Sequence, residues 1–254
     1  MSIYQSIAEK IIAAERILFI TGAGISADSG LPTYRGIGGL YNGNATEDNM
    51  PIEEALSGTV MRLHPEITWK YLLQIESVCR GKTFNDAHKV IADIEKLKPN
   101  TWVLTQNIDE FHRRAGSQNL IEIHGHVSAL FCPKCQYETI VNNYSELSLP
   151  PHCPKCNSVI RPRVVLFGEM LPEKEINELY TQMQKGFDLV FSIGTTSVFP
   201  YIAEPVYRAK RWHATTIEIN PGETEVSQYV DVKITSSAKE AMCAIWDAMH
   251  RLLS

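Results

Sequence analysis

The chain has 254 residues, of which 44% are hydrophobic and 21% charged, so it carries enough apolar material for one large folded domain. Its formal net charge of −5 argues against a global basic field that attracts nucleic acid. The N-terminal run lacks the pattern of a secretion signal, and no segment approaches the roughly 20 apolar residues of a membrane helix. We therefore expect a cytoplasmic protein without membrane attachment.

Short apolar strands alternate with amphipathic helices along most of the chain. The patterns predict helices at 4–15, 66–79, 86–97, 110–115, 173–185, 201–210 and 238–252, and strands at 17–21, 101–105, 120–123, 189–193, 215–219 and near 231–234. This alternation is typical of an α/β fold with a doubly wound, Rossmann-like parallel sheet. The run at 36–50 is rich in Gly, Asn and Asp and is predicted to be a long loop.

Between about 127 and 163 the pattern changes to short strand-like pieces separated by Cys-Pro-Lys-Cys and proline-rich turns. We expect a small module inserted there into a single domain that spans 1–254. The Rossmann-like part would then comprise about 1–35, 100–126 and 164–254, with a helical and loop insertion over about 36–99.

A glycine-rich turn follows the first predicted strand. Gly22, Gly24 and Ala27 match G-x-G-x-x-A, in which small residues allow a tight turn, close approach to a pyrophosphate and helix packing. A helix that starts there would offer N–H groups to phosphate, although a purely structural turn is the alternative. A dehydrogenase would need an acidic residue after a second strand about 20 positions on, and the polar loop lies there instead. Asn220, directly after a late strand, is another candidate for binding a ribose.

Two Cys-Pro-Lys-Cys motifs lie seventeen residues apart. Cys132, Cys135, Cys153 and Cys156 have the spacing of two knuckles that hold one tetrahedral Zn²⁺, and a reducing cytosol disfavours disulfides. Neither knuckle carries a further candidate ligand, so we expect a closed, structural site in a zinc ribbon. A nucleic-acid-binding ribbon is the alternative, and the few basic and aromatic residues of the module disfavour it.

Polar residues follow several predicted strands at the edge where ligands gather in open α/β sheets. They are the run at 105–109, His124, and the Gly-Thr-Thr-Ser run at 194–197. Each has a simpler interpretation, since Asp109 suits a helix N-cap, Asn107 suits a turn, and a single histidine is commonly a core residue. Together with the glycine turn they favour a nucleotide site, in which His124 is the natural general base.

These motifs, in this order, resemble the sirtuin family of NAD-dependent protein lysine deacylases, in the form of a short prokaryotic-type catalytic core. The resemblance rests on GAGISADSG at 22–30, LPTYRG at 31–36, TQNID at 105–109, HG at 124–125, VVLFGE at 164–169, GTTS at 194–197, IN at 219–220 and the two cysteine pairs. It runs from about residue 17 to 240 and covers nearly the whole chain. One departure is Tyr34, where the family usually has phenylalanine.

The resemblance implies that NAD is cleaved at the nicotinamide–ribose bond and that the acyl group of a lysine ends on ADP-ribose. It assigns catalysis to His124, with Asn107 and Asp109, and gives the zinc no part in the chemistry. The residues that it assigns to NAD binding are Gly22, Ala23, Gly24, Ser26, Ala27, Tyr34, Arg35, Gln106, Asn107, Ile108, Asp109, Gly194, Thr195, Thr196, Ser197, Asn220, Pro221 and Ala238.

The acyl-lysine protein or peptide is expected to add as a strand between 164–169 and the loop near 197–201. The contacts implied on the first segment are Val165, Phe167, Gly168 and Glu169.

Some relatives that remove succinyl or malonyl groups carry a Tyr-x-x-Arg pair after a tryptophan on the helix that follows the cofactor loop. Aligned on Trp69, this chain has Leu72 and Ile75 there, which predicts a preference for acetyl or longer neutral acyl groups. Arg62 and Arg80 remain as other possible partners of an acidic acyl group.

Two other functions remain open within this resemblance. A protein mono-ADP-ribosyltransferase is the first, because some sirtuins mainly transfer ADP-ribose. A non-catalytic NAD sensor is the second, and the presence of Asn107, Asp109 and His124 disfavours it because a pure binding module needs no base.

Overall fold

A computed structural model describes residues 2–33 and 46–254. Its strands are β1 (Ile17–Thr21), β2 (Thr101–Thr105), β3 (Leu120–Glu122), β4 (Gly125–Phe131), β5 (Glu138–Ile140), β6 (Arg161–Val164), β7 (Leu189–Ile193), β8 (Thr215–Ile219) and β9 (Val232–Ile234). Its α-helices are α1 (Ile3–Ala13), α2 (Ile52–Ala55), α3 (Gly58–Leu63), α4 (Pro65–Cys79), α5 (Asp86–Leu97), α6 (Phe111–Ala115), α7 (Glu173–Lys185), α8 (Pro200–Ala209) and α9 (Ala238–Leu253).

The central sheet has six strands in the order β3-β2-β1-β7-β8-β9, and all of their pairings are parallel. Helices cover both faces, which explains why β1 is a continuous apolar run rather than an alternating one. Ile17 and Phe19 pack with residues of α1, α5 and α9, whereas Leu18 and Ile20 pack with residues of α7 and α8. The predicted doubly wound α/β fold is confirmed.

The order of the strands determines where a site can form. The chain moves from β1 to β2 and β3 on one side of the sheet, and to β7, β8 and β9 on the other. The carboxyl ends of β1, β2 and β7 therefore meet at the point where the winding reverses, which is where open α/β sheets bind ligands. The polar runs that follow these strands are brought together there.

The cysteine-containing module is a three-stranded antiparallel sheet in the order β5-β4-β6. Its core is shared with the helices that precede it, because Leu130 and Tyr144 pack in one cluster with Trp69 and Leu72 of α4. The indole Nε1 of Trp69 also donates a hydrogen bond of 3.0 Å to the carbonyl of Ile160. A module this small obtains much of its apolar burial from α2–α4.

The predicted helix after the glycine turn differs from the structure. A 3-10 helix runs over Ala23–Ser29 and ends at Gly30, which has a left-handed φ of 78°. Its first turn is closed by a hydrogen bond of 3.1 Å from the N–H of Ile25 to the carbonyl of Gly22. The tight contact of Gly24 with the loop after β7 favours this narrower turn.

The packing of α5 also differs from the grouping that the sequence suggested. Val90, Ile91 and Ile94 of α5 lie in the cluster that covers one face of the parallel sheet, together with residues of α1 and α9. By its packing, α5 belongs with the sheet and not with α2–α4, although it lies within the predicted insertion at 36–99. Within the described ranges, no helix is both long and apolar enough to cross a membrane.

Candidate functional site

Two glycine loops, which follow β1 and β7, pack against each other where the winding of the sheet reverses, a place called the switch point below. The N–H of Gly24 donates to the carbonyl of Gly194 over 2.8 Å, and the N–H of Gly22 donates to Ile193 over 3.1 Å. A Cβ on Gly24 would lie 2.6 Å from the Cα of Gly194, and one on Gly22 would lie 2.8 Å from the side chain of Thr195. Glycine is therefore required here by contact between two backbones, a reason that the motif alone does not reveal.

Thr195 connects the ends of three strands. Its hydroxyl accepts hydrogen bonds from the Gln106 amide, over 2.7 Å, and from the N–H of Ser197, over 3.1 Å. Its carbonyl accepts one from the side chain of Asn220 over 3.1 Å. Three of the predicted cofactor-binding residues, which follow β2, β7 and β8, are thus held in one hydrogen-bonded group around Thr195.

Asn107 and Asp109 meet the glycine turn from the end of β2. The Asn107 amide donates to the carbonyl of Gly22 over 3.1 Å and lies 3.3 Å from the hydroxyl of Ser26. Ser26 donates to Asp109 over 2.7 Å, and the other carboxylate oxygen accepts the N–H of Phe111 at the start of α6. Burial raises the pKa of Asp109. The carboxylate therefore accepts the first N–H of α6 from one position before the N-cap residue, which is Glu110 and not Asp109 as the sequence suggested, and it also lies in the predicted site.

His124 follows β3 and has a partner on each ring nitrogen. Nδ1 lies 3.1 Å from the carbonyl oxygen of Gln106, and Nε2 lies 2.7 Å from the hydroxyl of Tyr201. The edge of the ring contacts Phe199, with the ring centroids 5.9 Å apart. Burial lowers the pKa of His124, so the ring is neutral near pH 7 and one nitrogen keeps a lone pair. A neutral histidine at a strand end is chemically suited to accept a proton.

Tyr201 and Phe199 are contacts of His124 that the sequence interpretation missed. The signal that could have found them is the Phe-Pro-Tyr run directly after the Gly-Thr-Thr-Ser loop at 194–197. Aromatic residues at the start of a helix are commonly core residues, so the run by itself does not predict a contact with His124.

A pair of buried histidines beneath the site was also missed. The Nε2 of His112 lies 2.9 Å from the Thr21 hydroxyl, which in turn donates to Thr105 over 2.9 Å. The Nδ1 of His88 accepts the N–H of Asn85 at the start of α5 over 3.3 Å. Burial lowers the pKa of His88 to about 4 and lowers that of His112 well below its ordinary value. Both rings are therefore neutral parts of the core.

These histidines predict that the protein loses stability in acid. In the unfolded chain the His88 side chain binds a proton below about pH 6.5, whereas in the folded protein it does so only below about pH 4. The unfolded state therefore binds more protons between these values, and the free energy of unfolding decreases as the pH falls through this window. At pH 5.0, His88 alone should lower the free energy of unfolding by roughly 2 kcal/mol relative to pH 7.5. Urea denaturation at the two pH values measures this difference in the free energy of unfolding. His88→Gln should reduce the pH dependence, and exposed His64→Gln should leave it unchanged; equal dependence in both variants would contradict the assignment.

The predicted substrate segment at 164–169 is supported from both sides. Phe167 exchanges hydrogen bonds of 3.0 Å with Leu56 and Gly58, and the N–H of Val165 donates to the carbonyl of His124 over 2.9 Å. Gly168 is exposed and has a left-handed φ of 78°.

Glu169, predicted to contact substrate, lies in an ion pair with Arg161. Its carboxylate bonds both terminal nitrogens of the Arg161 guanidinium, and it also accepts the N–H of Leu166 over 2.9 Å. The guanidinium holds the pKa of Glu169 below its usual range against the opposing effect of burial. The carboxylate therefore stabilises the conformation of the substrate segment by linking the backbone of Leu166 to Arg161.

Leu72 and Ile75, predicted to line the acyl pocket, lie on α4. Leu72 is buried in the cluster that contains Trp69 and Val164, and Ile75 packs partly against it. Arg80 forms an ion pair with Glu76, one turn back on the same helix.

The four predicted zinc ligands converge. Their sulfur atoms all lie within 4.8 Å of one another, with Cys132 and Cys156 3.4 Å apart and Cys135 and Cys153 3.5 Å apart. In each knuckle a backbone N–H points at a sulfur, from Lys134 to Cys132 and from Lys155 to Cys153. Tetrahedral Zn–S bonds of about 2.3 Å place sulfurs about 3.8 Å apart, so this donor set fits one zinc ion.

The remaining predicted cofactor-binding residues occupy varied positions. Ala23 and exposed Ala27 lie in the 3-10 helix, and Ile108 packs partly against the cysteine module. Thr196 and Pro221 are exposed, whereas Ala238 is buried at the start of α9. Tyr34 and Arg35 lie outside the described residues.

The family model described as "Sir2 family" matches residues 22–200, which include the glycine turn, His124 and all four zinc-site cysteines. The chain belongs to the Sir2 (sirtuin) family. The resemblance carried by the sequence motifs is thereby confirmed.

Members of the Sir2 family with similar sequences align along nearly their whole length. The "NAD-dependent protein deacylase 2" of Pseudomonas aeruginosa is 50% identical over 249 residues, covering 97% of each chain. The "NAD-dependent protein deacylase" of Thermococcus sibiricus is 35% identical, covering 97% of this chain and 96% of its own.

Solved Sir2 structures share the fold. A Sir2 homologue in complex with NAD superposes with a TM-score of 0.88 at 30% identity, covering 100% of this chain and 96% of its own. A Sir2 variant solved with a deacetylated p53 peptide and 3′-O-acetyl ADP-ribose superposes with a TM-score of 0.85 at 28% identity, covering 96% and 97%.

Proposed function

We propose that this Sir2 protein is an NAD-dependent protein lysine deacylase that produces nicotinamide and O-acyl-ADP-ribose. The observation that carries the proposal is the state of His124, a neutral ring whose Nδ1 is held by a backbone carbonyl and whose Nε2 faces Tyr201 at the start of the helix that follows β7. Relatives named NAD-dependent protein deacylases, one of them 50% identical, support the same activity.

The donor set around the switch point fits a dinucleotide. Backbone N–H groups of the turn at 22–26 would meet the phosphates, and the Asn220 amide would meet the adenosine ribose. Asn107 and Asp109 would line the nicotinamide end, where burial raises the pKa of the Asp109 carboxyl. Bound NAD would supply a ribose carbon that becomes electrophilic as nicotinamide leaves.

His124 has the central role in this proposal. The Gln106 carbonyl can only accept a hydrogen bond, so it holds the proton of the neutral ring on Nδ1 and leaves the lone pair on Nε2. Nε2 would then accept the proton of a ribose hydroxyl while the acyl group is transferred. The side chain is partly shielded from water, which keeps the imidazole neutral and able to act.

The peptide would bind as an added strand between 164–169 and the loop near 197–201. His124 supports this placement because it contacts both flanks, accepting the N–H of Val165 and packing its ring on Phe199. Residues 56–58 already pair with Phe167, so an added strand would use the opposite edge of that segment. In this arrangement the parallel sheet holds NAD, and α2–α4 with the zinc module shape the acyl end.

The acyl pocket is proposed to prefer neutral groups. Leu72 and Ile75 contribute apolar surface where acidic-acyl enzymes of the family carry tyrosine and arginine, and Arg80 is paired with Glu76. A carboxylate buried without a partner is strongly unfavourable.

An acyl-peptide panel checks this preference. Acetyl-lysine should be cleaved at least about tenfold faster than succinyl-lysine, since leaving a buried charge unpaired costs more than the roughly 1.4 kcal/mol of a tenfold step. Ile75→Arg is the matched variant: Ile75 is partly buried, so the arginine stem can follow its surface and the ratio should shift towards succinyl. Faster cleavage of succinyl-lysine by the native protein would overturn the preference.

The activity itself is tested by mass spectrometry of a mixed acyl-lysine peptide library with and without NAD. We expect NAD-dependent loss of acyl groups together with nicotinamide and O-acyl-ADP-ribose. ADP-ribose that remains attached to protein, without loss of acyl groups, would identify a mono-ADP-ribosyltransferase and contradict the proposal.

A further inference from the structure

Tyr201 occupies the side of His124 on which the proposed reaction takes place. Its hydroxyl lies 2.7 Å from Nε2, while Nδ1 on the other side is held by the Gln106 carbonyl. The two rings are nearly perpendicular, with centroids 6.0 Å apart, and Tyr201 stacks on Phe199 at 5.5 Å and 15°. The orienting contact and the contact on the reactive nitrogen are therefore made by different groups.

The direction of the Tyr201 hydrogen bond follows from the other contact. A carbonyl oxygen accepts but cannot donate, so Nδ1 carries the hydrogen and Nε2 carries the lone pair. The Tyr201 hydroxyl must then donate to Nε2. Burial raises the pKa of Tyr201 to about 12, so the hydroxyl keeps its proton at neutral pH.

We propose that the Tyr201 hydroxyl occupies the lone pair of His124 in the free enzyme, and that the ribose hydroxyl of NAD must displace it. The inference rests on the proposed role of His124 as base. An imidazole nitrogen has one in-plane lone pair, so the two hydroxyls compete for it. Tyr201 is then a positioning residue that keeps the imidazole of His124 in one orientation. It also weakens the binding of NAD by the net free energy of one hydrogen bond.

The surroundings of Tyr201 allow this exchange. The residue lies in the first turn of α8 and is only partly buried, with its ring against exposed Phe199. Its ring packs partly against the core cluster of α7 and α8, so the exchange requires a modest turn of an incompletely buried ring. Phenylalanine at the same position keeps the stacking and loses only the hydroxyl.

Calorimetric titration with NAD and with ADP tests the proposal. ADP carries the adenosine and diphosphate but has no second ribose to reach His124. Tyr201→Phe should bind NAD roughly 2- to 10-fold more tightly than the native protein, the range expected for one net hydrogen bond, and should bind ADP unchanged. Tyr207→Phe, on the exposed side of the same helix, is the control and should change neither.

A double-variant cycle shows whether the effect of Tyr201 on NAD binding acts through His124. In a His124→Ala background, Tyr201→Phe should no longer alter the affinity for NAD, because the competed lone pair is gone. Unchanged or weaker NAD binding by Tyr201→Phe, an equal gain for ADP, or a gain that persists without His124 would each overturn the proposal. Failure of the native protein to bind NAD would instead refute the proposed function and the inference with it.

Discussion

His124→Ala is expected to abolish deacylation and nicotinamide release while leaving the folded protein intact. Loss of a positioned general base reduces turnover by about 10²- to 10⁴-fold. In the proposed reaction that base is the Nε2 of His124, whose Nδ1 is held by the Gln106 carbonyl. Turnover is measured by nicotinamide release, with zinc content and the thermal midpoint recorded on the same samples.

The control for this experiment is His250→Ala, which removes an exposed histidine of α9. It should keep native turnover and native stability. Unchanged turnover in His124→Ala would refute the assigned role, and loss of zinc from that variant would show that the substitution disturbs the fold instead.

Cys153→Ser is expected to release zinc and to unfold the cysteine module. Cys153 and Cys132 are buried in the same apolar cluster as Trp69 and Tyr144, so loss of the zinc–sulfur bonds would release both knuckles from that core. Zinc contributes on the order of 10 kcal/mol to isolated zinc-binding peptides, so a drop in the thermal midpoint of roughly 10 °C or more is expected. Deacylation should be lost as well, because β6 of the module leads directly into the substrate segment.

Elemental analysis and thermal denaturation measure these effects. The native protein should contain one zinc per chain and the variant none, and a chelator should reproduce the effect on the native protein. Cys243→Ser, a half-buried cysteine of α9 outside the zinc site, should keep zinc, stability and activity. Native stability in Cys153→Ser would contradict a structural zinc.

Most of the fold could be predicted from short sequence patterns, because burial on one or both faces of an element fixes where its apolar residues lie. A strand covered on both faces must be apolar throughout, so β1 and β7 stand out from the sequence, and α7 and α9 show the apolar stripe of a helix that covers a sheet. Four thiols in two Cys-x-x-Cys turns have one common geometric solution around zinc. Such features involve residues near one another in the chain, so their spacing alone carries the information.

Some residues of the candidate site could likewise be predicted from local sequence patterns, whereas some of their contacts could not. Its strand-end residues were predictable because the carboxyl ends of parallel strands meet at one edge, and the role proposed for His124 comes from its neighbours and the family resemblance. The ion pair of Glu169 with Arg161 was not, since nothing in the local sequence distinguishes a carboxylate that contacts substrate from one that supports its segment.

The doubly wound sheet and the strand ends around the candidate site follow from sequence patterns alone, and so does the cysteine spacing that fits one zinc ion. The packing of the whole fold instead sets which side chains contact the His124 ring, why Gly24 must be glycine, and that His88 and His112 are buried beneath the site. The reason is sequence separation: Tyr201 lies 77 residues from His124, and a hydrogen bond between them exists only because β3 ends and α8 begins at the same edge of the sheet. Spacing along a chain records local geometry, whereas contacts of this kind depend on the packing of the whole fold.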